Sequence, residues 1–597
     1  MYSDEILLQA EKPARYIGNE INMVKKDIFG KIRFGFCFPD IYEVGMSCLG
    51  LQILYFLLNR REDTYCERFF APWGDMETLL RENGLFLESL ETGTSAGDFD
   101  ILGFTLQYEM SYTNVLNMLD LAGIPILSTL RGEDSPIVCA GGICTLNPEP
   151  LADIFDFFYI GEAEENLDKI LDAYKRRLNK AGFLREIADI DGVYVPKFYS
   201  VSYNEDGTIK EITPNAEGIK PKISRVFIED MDKSFFPKKT LVPLVETVHN
   251  RVSVEVFRGC IRGCRFCQAG YSYRPAREKE PETLMSQAEE LVASTGYDEI
   301  SLVSLSTGDY TRFNELARAL DERFTKDNIN VSLPSLRVDA FTTELANSVQ
   351  TVRKSSLTFA PEAGTLRLRR VINKNLSDED IQNGAKLAFE SGITKVKLYF
   401  MTGLPTETKE DLDGIVQTVC GVMNLTQNKH LSIGVSAACF VPKPHTPFQW
   451  EAQNTTEEFL GKHMYVKNAI PAASKRAKRA VRYTYHDCEL AVIEGILARG
   501  DRRVCKGIVR AWELGARFDG WNDIFRYSLW KQAFEETGLD LAFYTSRVRD
   551  VSEILPWEHI DCGVSKEFFI RERERAYRNE QTPNCRENCS ACGIGCC

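Results

Sequence analysis

Short apolar runs alternate with segments of helical periodicity along most of the chain, and they do so in two separate stretches. In the first, IRFGFCF (32–38), DILGFTLQ (100–107), SPIVCAGG (135–142) and FDFFYIG (155–161) read as buried strands, with helices over LGLQILYFLLNR (49–60) and SYTNVLNMLDLAG (111–123). Strands parted by helices predict an α/β fold, here a doubly wound, Rossmann-like parallel sheet over residues 1–185. Such a sheet binds ligands beyond the carboxyl ends of its strands, where glycines let the backbone approach closely. No complete G-x-G-x-x-G fingerprint is present, which disfavours a nicotinamide cofactor. Residues 186–248 break the pattern: DGVYVPKFYSVSYNEDGTIKEI reads as a β-hairpin around its DG turn, within a linker rich in Pro and Lys.

The alternation resumes with RVSVEVF (251–257), EISLVSL (299–305), INVSLPS (329–335), SLTFAP (356–361), KVKLYFM (395–401) and SIGVSAACF (432–440). Six βα units over 249–470 predict a partial (βα)6 barrel, a fold that places its chemistry at the C-terminal ends of the strands. Residues 471–597 are expected to be mostly helical, with a basic run, SKRAKRAVR (474–482), and a cysteine-rich end.

Composition narrows the functional classes. With 72 Lys and Arg against 86 Asp and Glu in 597 residues, the net charge of -14 argues against attachment to nucleic acid by bulk charge. The basic run reads as a solvated face or a local contact with RNA phosphate. No apolar run approaches the ~18–20 residues of a membrane helix, and the first fifteen residues lack the pattern of a signal peptide. A cytoplasmic location with no membrane partner is the expectation.

Of the 18 cysteines, ten lie singly in apolar or mixed surroundings and read as small buried hydrophobes. The other eight form two clusters that open with the same spacing, C-x3-C-x2-C: Cys260, Cys264 and Cys267, then Cys585, Cys589 and Cys592, followed by Cys596 and Cys597. At this cysteine frequency one such spacing arises by chance in about one or two chains per hundred, so two occurrences point to metal or cluster ligation. Three local thiolates can hold three irons of a four-iron cluster and leave one iron open; the alternative is a zinc knuckle. The second cluster has enough thiols for a complete second iron–sulfur cluster or a closed zinc site.

The segment from Cys260 through Cys264, Phe266 and Cys267, at the end of a first barrel strand, resembles the radical S-adenosylmethionine (SAM) superfamily. That resemblance implies a 4Fe–4S cluster whose open iron chelates SAM, and reductive cleavage to methionine and a 5′-deoxyadenosyl radical. It places Phe266 near adenine. SLSTGDY (304–310), with Ser306, Gly308 and Asp309, falls at the methionyl amine, and the glycine–proline turn at Gly403 and Pro405 packs near adenine. Arg337 and Glu362, at the ends of the third and fourth strands, are implied as polar groups near SAM or substrate. A reducing partner such as flavodoxin or ferredoxin follows. His445 and Lys443, near the end of the sixth strand, are further candidates for the barrel mouth.

The N-terminal sheet resembles the cobalamin-binding domain that precedes the barrel in one branch of this superfamily. The residues that carry the likeness are Asp40, Tyr42 and Gly45, the pair Gly141 and Gly142, and Gly161 with Glu162. The branch's Asp-x-His-x-x-Gly signature reads Asp40-x-Tyr42-x-x-Gly45 here. The first histidine of the chain is His249, so this domain offers cobalt no imidazole. The whole implies a radical SAM enzyme for cobalamin-assisted C-methylation or a related modification. The alternatives are methylthio or sulfur insertion into RNA or ribosomal protein with the C-terminal cluster, and a non-catalytic iron–sulfur or corrinoid carrier.

Overall fold

The computed structural model describes residues 1–332 and 357–595. The N-terminal sheet consists of β1 (Ile32–Phe38), β2 (Thr64–Phe70), β3 (Ile101–Thr105), β4 (Ile137–Gly141), β5 (Phe157–Tyr159) and β6 (Val193–Tyr194), in the order β2-β1-β3-β4-β5-β6. β1 to β5 run parallel and β6 closes the edge antiparallel. Every residue of β1 and β2 is buried, as expected for strands covered by helices on both faces. The helix Leu49–Arg60 packs here through Leu51, Ile53, Phe56, Leu57 and Leu58. Full burial of each such side chain contributes about 1.5–3 kcal/mol. The order reverses between β1 and β3, so the strand ends beside that point open a crevice.

The linker hairpin forms as its DG turn predicts, Tyr199–Tyr203 pairing antiparallel with Ile209–Pro214. Further on, Ile223–Ser224 pairs with Ile560–Asp561, which ties the linker to the C-terminal region.

The barrel sheet is described in two parallel pieces. Strands Val252–Glu255, Glu299–Val303 and Asn330–Ser332 form one, and Leu357–Glu362, Lys395–Thr402, Ser432–Cys439 and Val481–Tyr485 form the other. The last of these, VRYTY, is a seventh strand beyond the six the sequence reading names. It overlaps the end of the basic run, and its Ile433↔Val481 to Ala437↔Tyr485 register continues the barrel. Its alternation of half-buried and exposed residues fits an edge strand. Helices from 488 to 577 fold back onto the N-terminal sheet, sharing one hydrophobic core with it through Ile493, Leu497, Ile508, Trp530 and Phe569.

Candidate functional site

The first cysteine cluster lies in a loop clasped at its base, where Phe257–Arg258 pairs antiparallel with Arg277–Glu278. Cys267 caps the short helix Gln268–Ser272, and all three cysteines are partly buried. The Arg262 backbone N–H donates to Cys260 Sγ at 3.4 Å. Burial, then the neighbouring Cys264, push the Cys260 thiol up to about 11, and the same causes push Cys267 up to about 12. A metal centre bound there would have to draw the protons from these thiols.

Buried arginines brace the loop from behind. Arg265 is fully buried; its guanidinium donates to the Arg370 and Val371 carbonyls and to Glu572 in the helix Lys566–Tyr577. In front, Arg262 grips Asp309 through two hydrogen bonds, which joins the loop to the end of the second barrel strand.

The strand ends converge as the barrel geometry requires. Ser306 is buried, and its Oγ has no hydrogen-bond partner among the described residues. Gly308 follows it, and Asp309 is held by Arg262. Phe266 packs against the buried cluster that includes Ala363, Leu404 and Phe440, the second of these within the Gly403–Pro405 turn. The Gly403 N–H donates to both Glu407 oxygens at 3.1 Å. Glu362 accepts from Lys374 at 3.2 Å and sits at φ +67°. Thr406 and His445, at the next two strand ends, also have positive φ, at 65° and 55°. Non-glycine residues in this region cost about 1–3 kcal/mol each and cluster at functional sites. Arg337 lies outside the described residues.

An apolar cavity of about 460 Å³ connects the two halves. On the N-terminal side it runs between the sheet and its helices, past Phe34, Ile53, Gly103 and Leu171, to the strand ends at Gly141, Gly142, Gly161 and Glu162. On the barrel side it meets Glu255, Arg258, Gly259, Tyr273 and Ser304, so it ends one residue from Cys260. Gly142 (φ +105°) and Gly161 (φ +115°) are fixed by their own packing, since a Cβ would stand 2.5 Å from the Leu106 carbonyl oxygen and 2.1 Å from that of Val226. Gly141 differs: a Cβ there meets only the Tyr159 carbonyl oxygen at 3.9 Å, so its bareness keeps cavity space open.

Other residues of the cobalamin-type pattern stand elsewhere. Asp40, Tyr42 and Gly45 do not line the cavity. Asp40 accepts from Trp521 Nε1 at 3.1 Å, the Tyr42 hydroxyl donates to Glu20 at 3.0 Å, and Gly45 is packed against Phe70. The C-terminal region covers the end of β1, which no local signal foretells. Glu162 does line the cavity, but its carboxylate accepts from Arg277 at 2.8 and 2.9 Å and from the Ile228 N–H at 2.8 Å, with Arg258 at 3.3 Å. Burial raises its pKa, but Arg277 and Arg258 outweigh this and hold the group below the usual carboxylate range. Its visible role is to lock the sheet to the cysteine loop.

His445 and Lys443 likewise bridge elements. His445 is buried, with Nε2 3.0 Å from the Leu146 carbonyl oxygen, and burial pulls it down to about 4. Lys443 pairs with Glu109 and Glu494, both at 2.8 Å.

The second cysteine cluster packs against the first. The Cys585 N–H donates to the Ile261 carbonyl at 3.0 Å, and Arg586 bonds the Asp309 carbonyl and Glu278. Arg274 lies between the clusters, donating to the Arg262 carbonyl while its charge acts on Cys585 and Cys592. Cys592 is buried, Cys585 half-buried and Cys589 exposed; Cys596 and Cys597 lie outside the described residues. A separation of over 300 residues leaves no signal in the sequence for this contact.

Residues 50–196 match the family of N-terminal domains of radical SAM proteins, and residues 254–419 match the radical SAM superfamily itself. The uncharacterized protein MJ0966 of Methanocaldococcus jannaschii is 30% identical over 471 residues, 79% of this chain and 89% of its own. Among solved structures, the radical S-adenosylmethionine methyltransferase TsrM from Kitasatospora setae, with cobalamin and a 4Fe–4S cluster bound, aligns at 15% identity with a TM-score of 0.48, over 70% of this chain and 77% of that one. A second TsrM structure, with tryptophan substrate and the SAM analogue aza-SAM, gives 16% and 0.44, over 68% and 73%. A cysteine triad at the mouth of a parallel β/α barrel defines the class. The chain belongs to the radical SAM superfamily, as an α/β enzyme with an N-terminal doubly wound domain. No helix among the described residues is long and apolar enough to cross a membrane.

Proposed function

We propose that this enzyme modifies an unactivated C–H position, with a 4Fe–4S cluster on Cys260, Cys264 and Cys267 and a corrinoid in the interdomain cavity. The observation that carries the reading is the continuity of that cavity from the N-terminal strand ends to Gly259, beside the first cluster cysteine. When bound, the cluster and SAM supply a carbon-centred radical and the corrinoid a transferable methyl group.

The chain's own residues bind, orient and exclude water. The donor set fits an iron–sulfur centre: three thiols on one loop, one already accepting a backbone N–H. The Ser306 hydroxyl, buried and unpartnered, fits a polar group of SAM, and so does the Glu362 carboxylate held by Lys374. Phe266 and the Gly403–Pro405 turn supply an apolar wall for adenine. Gly141 and the apolar lining fit a corrin face and keep water out. No histidine is among the described residues that line the cavity, so the residues that would hold a corrin there, Gly141 and its apolar neighbours, would offer its cobalt no protein imidazole.

The contact between the two cysteine clusters favours a second reading for the tail: an auxiliary iron–sulfur cluster that relays electrons from a flavodoxin- or ferredoxin-type reductant, or donates sulfur to RNA or ribosomal protein. Anaerobic turnover with dithionite tests the main reading. The wild-type chain is expected to form 5′-deoxyadenosine and to retain one corrin per chain by absorbance. No 5′-deoxyadenosine above a Cys264→Ala control overturns the radical chemistry and leaves a carrier. Product without corrin retention overturns only the cobalamin part.

A further inference from the structure

Away from the cysteine loop, three buried side chains from three elements meet beside the C-terminal ends of the fifth and sixth barrel strands. Cys439 ends the sixth strand, His463 lies in the helix Thr456–Ala473, and Cys488 opens the helix Cys488–Arg499. Their ligand atoms all lie within 4.8 Å of one another. His463 is 0% exposed, Cys439 5% and Cys488 6%. Cys439 Sγ stands 3.4 Å from His463 Nε2, and Thr402 Oγ1 stands 3.3 Å from the same nitrogen. The other ring nitrogen, Nδ1, faces the Tyr483 hydroxyl at 3.0 Å, and the ring stacks on Tyr485 with centroids 4.7 Å apart.

We infer that Cys439, His463 and Cys488 form a binding site for a borderline-soft divalent cation, zinc above all, with the fourth position facing Thr402. Tetrahedral zinc with Zn–S near 2.3 Å and Zn–N near 2.0–2.1 Å holds neighbouring ligand atoms roughly 3.5–3.8 Å apart. The observed spacing is within a small side-chain adjustment of that. Two thiolates and one imidazole select zinc over magnesium or calcium, which prefer oxygen ligands. With its Nδ1–H donated to the Tyr483 hydroxyl, the imidazole would turn the Nε2 lone pair to the sulfurs, as the outer partners of metal-bound histidines arrange.

An ion there would pin the end of the sixth strand to two helices. The loop that leaves Cys439 carries Lys443 and His445 to the N-terminal domain, so the pin would also set that bridge. The site is independent of the radical chemistry, and its test does not use turnover.

The full-length chain, reconstituted anaerobically with iron and sulfide so that the other cysteine clusters are filled, is analysed for zinc. The wild type is expected to hold one more zinc per chain than Cys439→Ser/Cys488→Ser, with equal iron in both. Should the double variant not fold, zinc-edge X-ray absorption of the wild type decides: a shell of two sulfurs with nitrogen or oxygen supports the site. Equal zinc in a folded variant, a four-sulfur shell, no zinc in the wild type, or a Cys439–Cys488 disulfide in anaerobically purified protein each overturns it.

Discussion

Replacing Glu162 by Gln removes a carboxylate that joins the N-terminal sheet to the base of the cysteine loop. In the native protein it takes two hydrogen bonds from Arg277 and stands 3.3 Å from Arg258. Arg258 keeps Glu255 at 3.0 Å and Glu164 at 2.8 Å, so its charge stays compensated. Arg277 retains only backbone carbonyls, of Pro275, Ile228 and Tyr273. Breaking a buried pair from one side costs about 3–5 kcal/mol. Gln still offers an oxygen, which puts the expected loss near the lower bound, about 3 kcal/mol, or roughly a hundredfold in the folded-to-unfolded ratio.

The pH dependence has a definite sign. The folded Glu162 carboxyl titrates below its unfolded value of about 4.3, so its stabilisation is complete above that value and is lost as pH falls through the lower folded value. Urea unfolding at pH 7 and at pH 4 is the assay, followed by tryptophan fluorescence and by limited proteolysis of the linker. The variant is expected to unfold at lower urea at pH 7, with the sheet releasing before the barrel, and the gap to wild type should narrow at pH 4. An unchanged midpoint at pH 7, or a gap that widens in acid, refutes the reasoning.

Gly141→Val should abolish corrin retention while iron content and urea midpoint stay near wild type, because the added side chain enters open cavity and not neighbouring backbone; equal corrin retention by absorbance would remove Gly141 from the site. Ser306→Ala should weaken SAM binding by about fivefold, one hydrogen bond of about 1 kcal/mol, without loss of stability, since the hydroxyl has no partner among the described residues; equilibrium dialysis against thermal unfolding separates the two effects. His445 and His559 are both buried and pulled down to about 4, so the unfolded chain takes up protons below about 6.5 that the folded one refuses. Stability is therefore expected to fall between about pH 6.5 and 4, by up to about 3 kcal/mol for each histidine, and a His445→Gln variant should show a shallower acid limb in urea titrations.

The parts of this architecture that were legible in the sequence are those encoded by neighbours. Buried strands, the DG hairpin and C-x3-C-x2-C need only local spacing, and each lies where that spacing predicts. Arrangements made by distant partners were not legible. Glu162 reads as a ligand contact until Arg277, over a hundred residues away, claims it. Tyr42 occupies the histidine position of a cobalamin signature, yet burial with Glu20 and Arg68 makes it part of the core. Cys439 and Cys488 read as isolated apolar thiols because His463 reaches them from another helix. The seventh strand was hidden by what precedes it: the basic run is the short helix Lys475–Ala480, and VRYTY follows it directly with no turn residue to part the two.

Three consecutive strand ends at the barrel mouth adopt a backbone shape that glycine takes freely, yet the chain places Glu362, Thr406 and His445 there. A designer seeking a hardier protein would put glycine at 362 first, since that swap relieves the twist and removes only a contact with Lys374. On the proposed function the rim is thus where durability and turnover would pull in opposite directions: the sturdier protein would have surrendered a carboxylate at the barrel mouth.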